Sequence, residues 1–240
     1  MDFVIENLPR FLEGAWTTIQ LAALSCTIGL ILALPIALAR LSANPVLRGI
    51  STAYVFFFRG TPLLAQLFLI YYGSGQFRHE LASVGLWAFF RDPWFCALLS
   101  LTLNTAAYTS EILRGAIQSI PRGEIEAARA LGLKPRLLLR LVILPRAIQM
   151  GWPAYTNEIV YQIQATSLVS IITIMDITGV ARAVGARDFT FFEAFGLAAA
   201  LYLVLVYGFI LFAGQVEQRL NAHLARPETA GPRKLGGLIR

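Results

Sequence analysis

The sequence predicts an all-α integral membrane protein with five transmembrane helices. Of the 240 residues, 57% are hydrophobic and 14% are charged, whereas an ordinary soluble domain has about 25% charged residues. The apolar residues form runs long enough to cross a bilayer, which takes roughly 20 residues in a helix. The basic residues fall mostly on alternate connections between these runs. So much apolar surface excludes a disordered chain, and so few charges could not coat a water-soluble globule.

The predicted spans are about 15–39, 52–72, 94–113, 147–175 and 195–216. The first run contains no charged residue, and the acidic residues that precede it argue against a cleavable signal peptide. The second run is interrupted at 59–62, where Gly and Pro occur together. We therefore expect a membrane domain over 1–226, followed by a cytoplasmic tail over 227–240.

The positions of Lys and Arg predict the orientation of the spans. Of the 20 basic residues, 15 lie on one set of connections and 5 on the other. Because basic loops stay in the cytoplasm, we expect the N-terminus outside and the C-terminus inside. This sorting also explains the net charge of +6, so the basic residues do not indicate nucleic-acid binding.

The longest cytoplasmic connection, 114–146, predicts a short helix. Pro121 can begin it, Glu124 favours its first turn, and Gly132 can end it. A helix of about ten residues is marginal by itself in water. Either the membrane domain or a partner protein must hold it.

Residues in this connection resemble the EAA-loop signature of ABC-importer permeases. The matching positions are Glu126-Ala127-Ala128, Gly132, Val142 (where the family usually has Ile) and Leu144-Pro145. Further segments are similar to M-type permeases for histidine, lysine-arginine-ornithine, octopine and nopaline, namely 59–66, 103–111, 123–130, 153–158 and 166–168. The resemblance implies a type I ABC importer fold. It also implies that the ATPase is contacted through Glu126, Ala127, Ala128, Gly132, Leu144 and Pro145.

The same resemblance implies the partners and the location of the chain. The expected partners are cytoplasmic ABC ATPase subunits, a second permease subunit (a paralogue or a second copy), a periplasmic substrate-binding protein, an amino-acid substrate and membrane lipid. The expected location is the bacterial inner membrane, with no cofactor. The only lysines, Lys134 and Lys234, lack the glycines of a phosphate-binding loop. The chain is thus expected to be a transport subunit and not an enzyme.

Polar residues at membrane depth are the candidates for the substrate pathway. A charged side chain there costs roughly 3 kcal/mol unless it is paired or wetted, and so it indicates function. The candidates are Arg59, Thr61, Tyr155, Asn157, Glu158, Gln162, Thr166 and Ser167. The alternative is a hydrogen-bond network between helices. Thr166-Ser167 is expected to break its helix locally, whereas Glu111 and Arg114 read as a simple surface pair.

A buried carboxylate suits a cationic substrate, so cationic amino acids or opines are the favoured class. Permeases for glutamine or other polar amino acids carry similar motifs and remain the alternative. A membrane scaffold without a pathway is the rival from another class. It would need neither the coupling segment nor Glu158.

Overall fold

A computed structural model describes residues 2–221, and every regular element in that range is helical. This confirms the all-α prediction, whereas the predicted tail 227–240 lies outside the described residues. The long helices are α1 (Asp2–Arg40), α6 (Pro93–Ser119), α9 (Leu144–Ala165) and α11 (Phe191–Asn221). The shorter ones are α2 (Pro45–Gly60), α3 (Leu63–Ser74), α4 (Arg78–Ser83), α5 (Trp87–Phe90), α7 (Arg122–Ala130), α8 (Pro135–Leu138) and α10 (Ile177–Asp188).

Helix α6 lies at the centre of the bundle and packs against α1, α2, α3 and α9. Its polar side chains, among them Ser100, Asn104 and Thr105, are buried inside the bundle. By length and apolar composition, two described helices could cross a membrane, α1 and α11, or four spans if each bent helix pair counts as one. Although α6 has 27 residues, its polar residues lower its hydropathy. Five spans and their orientation therefore stay predictions.

The chain turns by 102° between α2 and the helical segment 63–83, which begins with α3. Pro62 lies at this break, where its ring disfavours a continuous helix through the preceding residue. The side chain of Gln66, 2% exposed, closes the turn. Its amide Nε2 donates to the Phe58 carbonyl at 2.9 Å and to the Thr61 hydroxyl at 2.8 Å. Its Oε1 accepts from Asn104 Nδ2 at 2.9 Å, which fixes the break against α6.

A second break follows α9. The α-helical hydrogen bonding gives way at Thr166, where the sequence predicts a local break, to a 3₁₀-helix over Thr166–Ile172. Such helices seldom exceed three or four residues. Thr173 then adopts a φ of 73°, and the buried carboxylate of Asp176 accepts from the first N–H groups of α10, those of Thr178 and Gly179. The start of α10 is therefore capped by a buried side chain and not by solvent.

Candidate functional site

The carboxylate of Glu158 lies in the middle of α9 and is 7% exposed. Thr105 of α6 donates its hydroxyl to Glu158 Oε1 at 2.8 Å. Among residues 2–221, no Lys or Arg forms an ion pair with Glu158. A carboxylate at this depth needs a cation or water when it is ionised, so Glu158 can accept a cationic group from a ligand.

Helices α1 and α6 approach closely beside this carboxylate. A Cβ atom built on Gly29 of α1 would lie 2.5 Å from Thr105 Cγ2, far inside van der Waals contact. The absence of a side chain at Gly29 thus lets α1 press against the residue that donates to Glu158. The packing of two helices holds Thr105 in place.

Two of the predicted pathway residues form hydrogen bonds between helices. Gln162, fully buried, donates to Ser25 Oγ of α1 at 3.0 Å and to the Leu101 carbonyl of α6 at 3.1 Å. Tyr155 donates its hydroxyl to the Cys26 carbonyl at 3.3 Å. These contacts correspond to the alternative reading from the sequence, a hydrogen-bond network between helices.

The structure separates three further candidates from Glu158. Asn157 is exposed on another face of α9. Thr166 is buried and donates to the Ile163 carbonyl at 2.8 Å, and the half-buried Ser167 lies in the 3₁₀-helix beyond α9. Thr61 also has a local role, since its hydroxyl bonds within the α2–α3 break.

Two tyrosines extend the site from Glu158 towards Arg59. Tyr161 follows Glu158 by one turn of α9, and Tyr108 follows Thr105 by one turn of α6. Their ring centroids are 6.3 Å apart, and we call this pair the tyrosine wall. The guanidinium of Arg59 lies 5.1 Å from the centroid of the Tyr108 ring. Sequence reasoning missed both tyrosines and Thr105, because neutral residues gain significance only when the helix pairing is known.

Three arginines converge on Glu111, forming a set that we call the Glu111 cluster. Arg114 donates Nε and Nη2 to the two carboxylate oxygens at 2.9 and 3.0 Å. Arg40 donates to the same carboxylate, and Arg59 approaches it at 3.7 Å. The expected surface pair of Glu111 and Arg114 is thus part of a larger group that joins α1, α2 and α6. This group could not be predicted from the sequence, because its arginines lie far apart along the chain.

Helix α7 lies in the connection that resembles the EAA loop. It ends at Ala130, and Gly132, two residues later, has a φ of 76°, which favours glycine. The N–H of Gly132 donates to the Arg129 carbonyl at 2.9 Å, and that of Leu133 donates to the Ala128 carbonyl at 3.3 Å. These two bonds form the Schellman cap expected of a helix that ends at glycine.

One face of α7 is held by the protein, and the other is open. Ala128 is buried, and Glu124 pairs with Arg146 of α9 at 3.1 Å. Glu126 and Ala127 are exposed, as is Leu131, which is 83% exposed. We call these three residues the coupling surface, because they lie in the connection for which the resemblance implies contact with the ATPase.

Two predicted coupling residues lie elsewhere. Leu144 begins α9 and lines an apolar cavity with α1 and α6, and Pro145 follows it. A π-helical turn over Leu139–Ile143 precedes them. Pro145 has no N–H group to donate to a carbonyl group of the preceding turn. The π-helical turn shifts those carbonyl groups out of the α-helical register.

Comparisons with known proteins agree with this architecture. Residues 26–222 match the family described as "Binding-protein-dependent transport system inner membrane component". The nopaline transport system permease protein NocM of Agrobacterium fabrum is 46% identical over 224 residues, covering 93% of each chain. The octopine permease OccM of Rhizobium meliloti is 44% identical, covering 85% of this chain and 82% of that one. The histidine/lysine/arginine/ornithine permease HisM of Escherichia coli is 40% identical, covering 90% and 91%.

Solved structures show the same fold. A chain from an amino-acid ABC transporter crystallised with histidines superimposes with a TM-score of 0.80 at 32% identity, covering 90% of this chain and 96% of that one. A chain of the MetNI methionine ABC transporter gives 0.71 at 19% identity, covering 89% and 97%, and supports the fold alone. The chain thus belongs to the family of binding-protein-dependent inner-membrane permeases, has the type I ABC importer fold, and is a transport subunit of the inner membrane rather than an enzyme.

Proposed function

We propose that this chain forms part of the translocation path of an ATP-driven importer for cationic amino acids or opines. The observation that carries the proposal is Glu158, a buried carboxylate with a hydroxyl donor and no ion pair within residues 2–221. A cationic group that reached it would form a charge-assisted hydrogen bond, which is stronger than a neutral one. The relatives named for nopaline, octopine and basic amino acids support this substrate class.

The proposed path runs along α6 and α9, beside the tyrosine wall. Tyr161 is 46% exposed, so the wall is open to a ligand on one side. Glu158 would hold the cationic group while the rings contact the apolar part of the substrate. Gln162 and Tyr155 keep the helices in register, so that the carboxylate stays in one position.

The energy for transport would enter through the coupling surface. ATPase subunits that close on ATP would push on Glu126, Ala127 and Leu131. The ion pair of Glu124 with Arg146 would carry this movement to α9, which bears Glu158. A second permease subunit would complete the path, and a periplasmic binding protein would deliver the substrate from outside. The resemblance to the EAA loop and the exposure of this face support the assignment.

Uptake into proteoliposomes tests the proposal. The permease is reconstituted with its partner subunits and binding protein and supplied with ATP inside. Radiolabelled L-arginine, L-lysine, octopine and L-glutamine are then compared. We expect ATP-dependent uptake of one or more of the first three compounds, each of which has a cationic side-chain group, and little uptake of glutamine. Uptake of glutamine alone would contradict the cationic class, and ATP hydrolysis without any uptake would favour the scaffold.

A further inference from the structure

We propose that the Glu111 cluster binds the carboxylate of the transported amino acid, with Arg59 as the residue that contacts it and Glu111 as a positioning residue. This inference rests on the proposed import function and extends it. The cluster would recognise the anionic end of a substrate whose cationic end is held by Glu158. A substrate would therefore be selected by two opposite charges and not by one.

The charge of the cluster supports an anionic ligand. Three guanidinium groups share one carboxylate, which leaves two net positive charges. No other acidic residue within residues 2–221 pairs with Arg40, Arg59 or Arg114. Uncompensated charge beside a membrane interior is costly, so an anion or water must meet it.

The three arginines differ in how tightly Glu111 holds them. Arg114 makes two short bonds to the carboxylate and a third to Gln118 at 2.6 Å. The side chain of Arg40 is 18% exposed, whereas that of Arg59 is 43% exposed and lies 3.7 Å from Glu111. Within the described part of the chain, the guanidinium of Arg59 makes no hydrogen bond. Because a guanidinium carries five N–H donors in a fork that fits a carboxylate, Arg59 is the arginine best placed to accept a ligand.

A cavity gives a ligand access to this group. It has a volume of about 370 Å³ and is lined by Arg40, Arg59, Tyr108 and Glu111, together with further residues of α2. This volume falls within the range of about 300–1,000 Å³ that is common for small-molecule sites. Tyr108 belongs both to this cavity and to the tyrosine wall. The wall thus contacts Arg59 through Tyr108, and its Tyr161 lies one turn of α9 from Glu158.

Equilibrium binding of two matched compounds tests the inference. The complex of permease and ATPase subunits in lipid nanodiscs, without the binding protein, is titrated with L-arginine and with agmatine, which is arginine without its carboxylate. We expect arginine to bind the wild type roughly ten- to hundredfold more tightly than agmatine, as a charged hydrogen-bonded pair implies. Arg59→Gln should weaken arginine binding to the level of agmatine and leave agmatine unchanged, and Arg59→Lys should give an intermediate affinity.

The controls separate this inference from the proposed function. Arg48→Gln changes an exposed arginine of the same helix and should alter neither affinity. Glu111→Gln should reduce the preference for arginine over agmatine, which a merely structural loss would not do. Glu158→Gln should weaken the binding of both compounds. If Arg59→Gln weakened the binding of both compounds equally, or of neither, the assignment of the carboxylate site to Arg59 would be wrong. This would hold even if Glu158→Gln behaved as expected.

One further outcome concerns the substrate class. Should the wild type bind neither compound, the cationic class fails, and the same contrast is measured with L-glutamine and its decarboxylated form, 4-aminobutanamide. A preference for glutamine that Arg59→Gln abolishes would support the carboxylate site. The absence of a carboxylate preference in both pairs would overturn it.

Discussion

Glu158 is buried in α9, and its carboxylate accepts from the hydroxyl of Thr105 rather than from a cation. The sequence identifies this carboxylate as unusual, because no Lys or Arg occurs between Arg146 and Arg182. It could not identify Thr105, a common residue in a polar stretch of α6. Which hydroxyl reaches the carboxylate depends on how α6 and α9 pack, and that is a property of the fold.

Gly29 gives a test of this packing. In Gly29→Ala the new methyl group would meet Thr105 Cγ2 at 2.5 Å, so Thr105 must shift. Overpacking of this kind typically costs about 1–3 kcal/mol, and we expect a lower melting temperature of the purified protein and weaker substrate uptake. The matched control is Gly208→Ala in α11, where nothing lies within 4 Å of the added atom. There, alanine should be neutral or stabilise the helix by about 0.5–1 kcal/mol. Equal melting temperatures for the two variants would contradict the close contact.

At the scale of elements, the sequence predicts an interruption in the second apolar run but not its geometry. Gly60 and Pro62 mark the position, yet a kink, a loop and a sharp turn all fit such a pattern. The side chain of Gln66 decides among them, since it bonds both sides of the break and also Asn104 of α6. These partners lie up to 38 residues away, beyond the reach of any local pattern.

Helix α7 gives a test at the same scale. Ala127→Phe adds a large side chain to the coupling surface, and Gly132→Val places a β-branched residue at a φ of 76°, which costs roughly 1–2 kcal/mol. We expect both variants to insert into the membrane normally but to bind the ATPase weakly or to uncouple ATP hydrolysis from uptake. Co-purification of the ATPase and the ratio of uptake to hydrolysis measure this.

The control for α7 is Ala82→Phe, the same substitution on the exposed surface of the short helix α4. It should leave both the binding of the ATPase and the coupling ratio unchanged. Normal coupling in Ala127→Phe and Gly132→Val would show that α7 does not contact the ATPase.

For the whole molecule, composition predicted the all-α membrane fold, and motif spacing predicted the family that the relatives then showed. The number of spans was harder to obtain from hydropathy, because α6 carries buried polar residues in place of apolar ones. The Glu111 cluster was beyond prediction, since its arginines come from three helices.

The predicted orientation can be tested by cysteine labelling. Glu80→Cys and Ala130→Cys place thiols at exposed positions that the distribution of basic residues assigns to opposite sides of the membrane. The native Cys26 and Cys96 are buried and should react little. An impermeant maleimide added to spheroplasts should label position 80 and spare position 130. Labelling of both positions from outside would contradict the arrangement with the N-terminus out and the C-terminus in.

The most direct test of the central claim is uptake of a cationic amino acid by Glu158→Gln. The amide keeps the shape of the side chain and can still accept from Thr105, but it has no charge to offer a cationic substrate. Losing a charged hydrogen bond of about 1.5–3 kcal/mol should lower the apparent affinity for arginine roughly ten- to hundredfold. Melting temperature and ATPase binding should stay near wild type, as should every property of the exposed control Glu193→Gln. Wild-type uptake by Glu158→Gln together with a lower melting temperature would contradict the account, because Glu158 would then support the helix bundle and not the substrate.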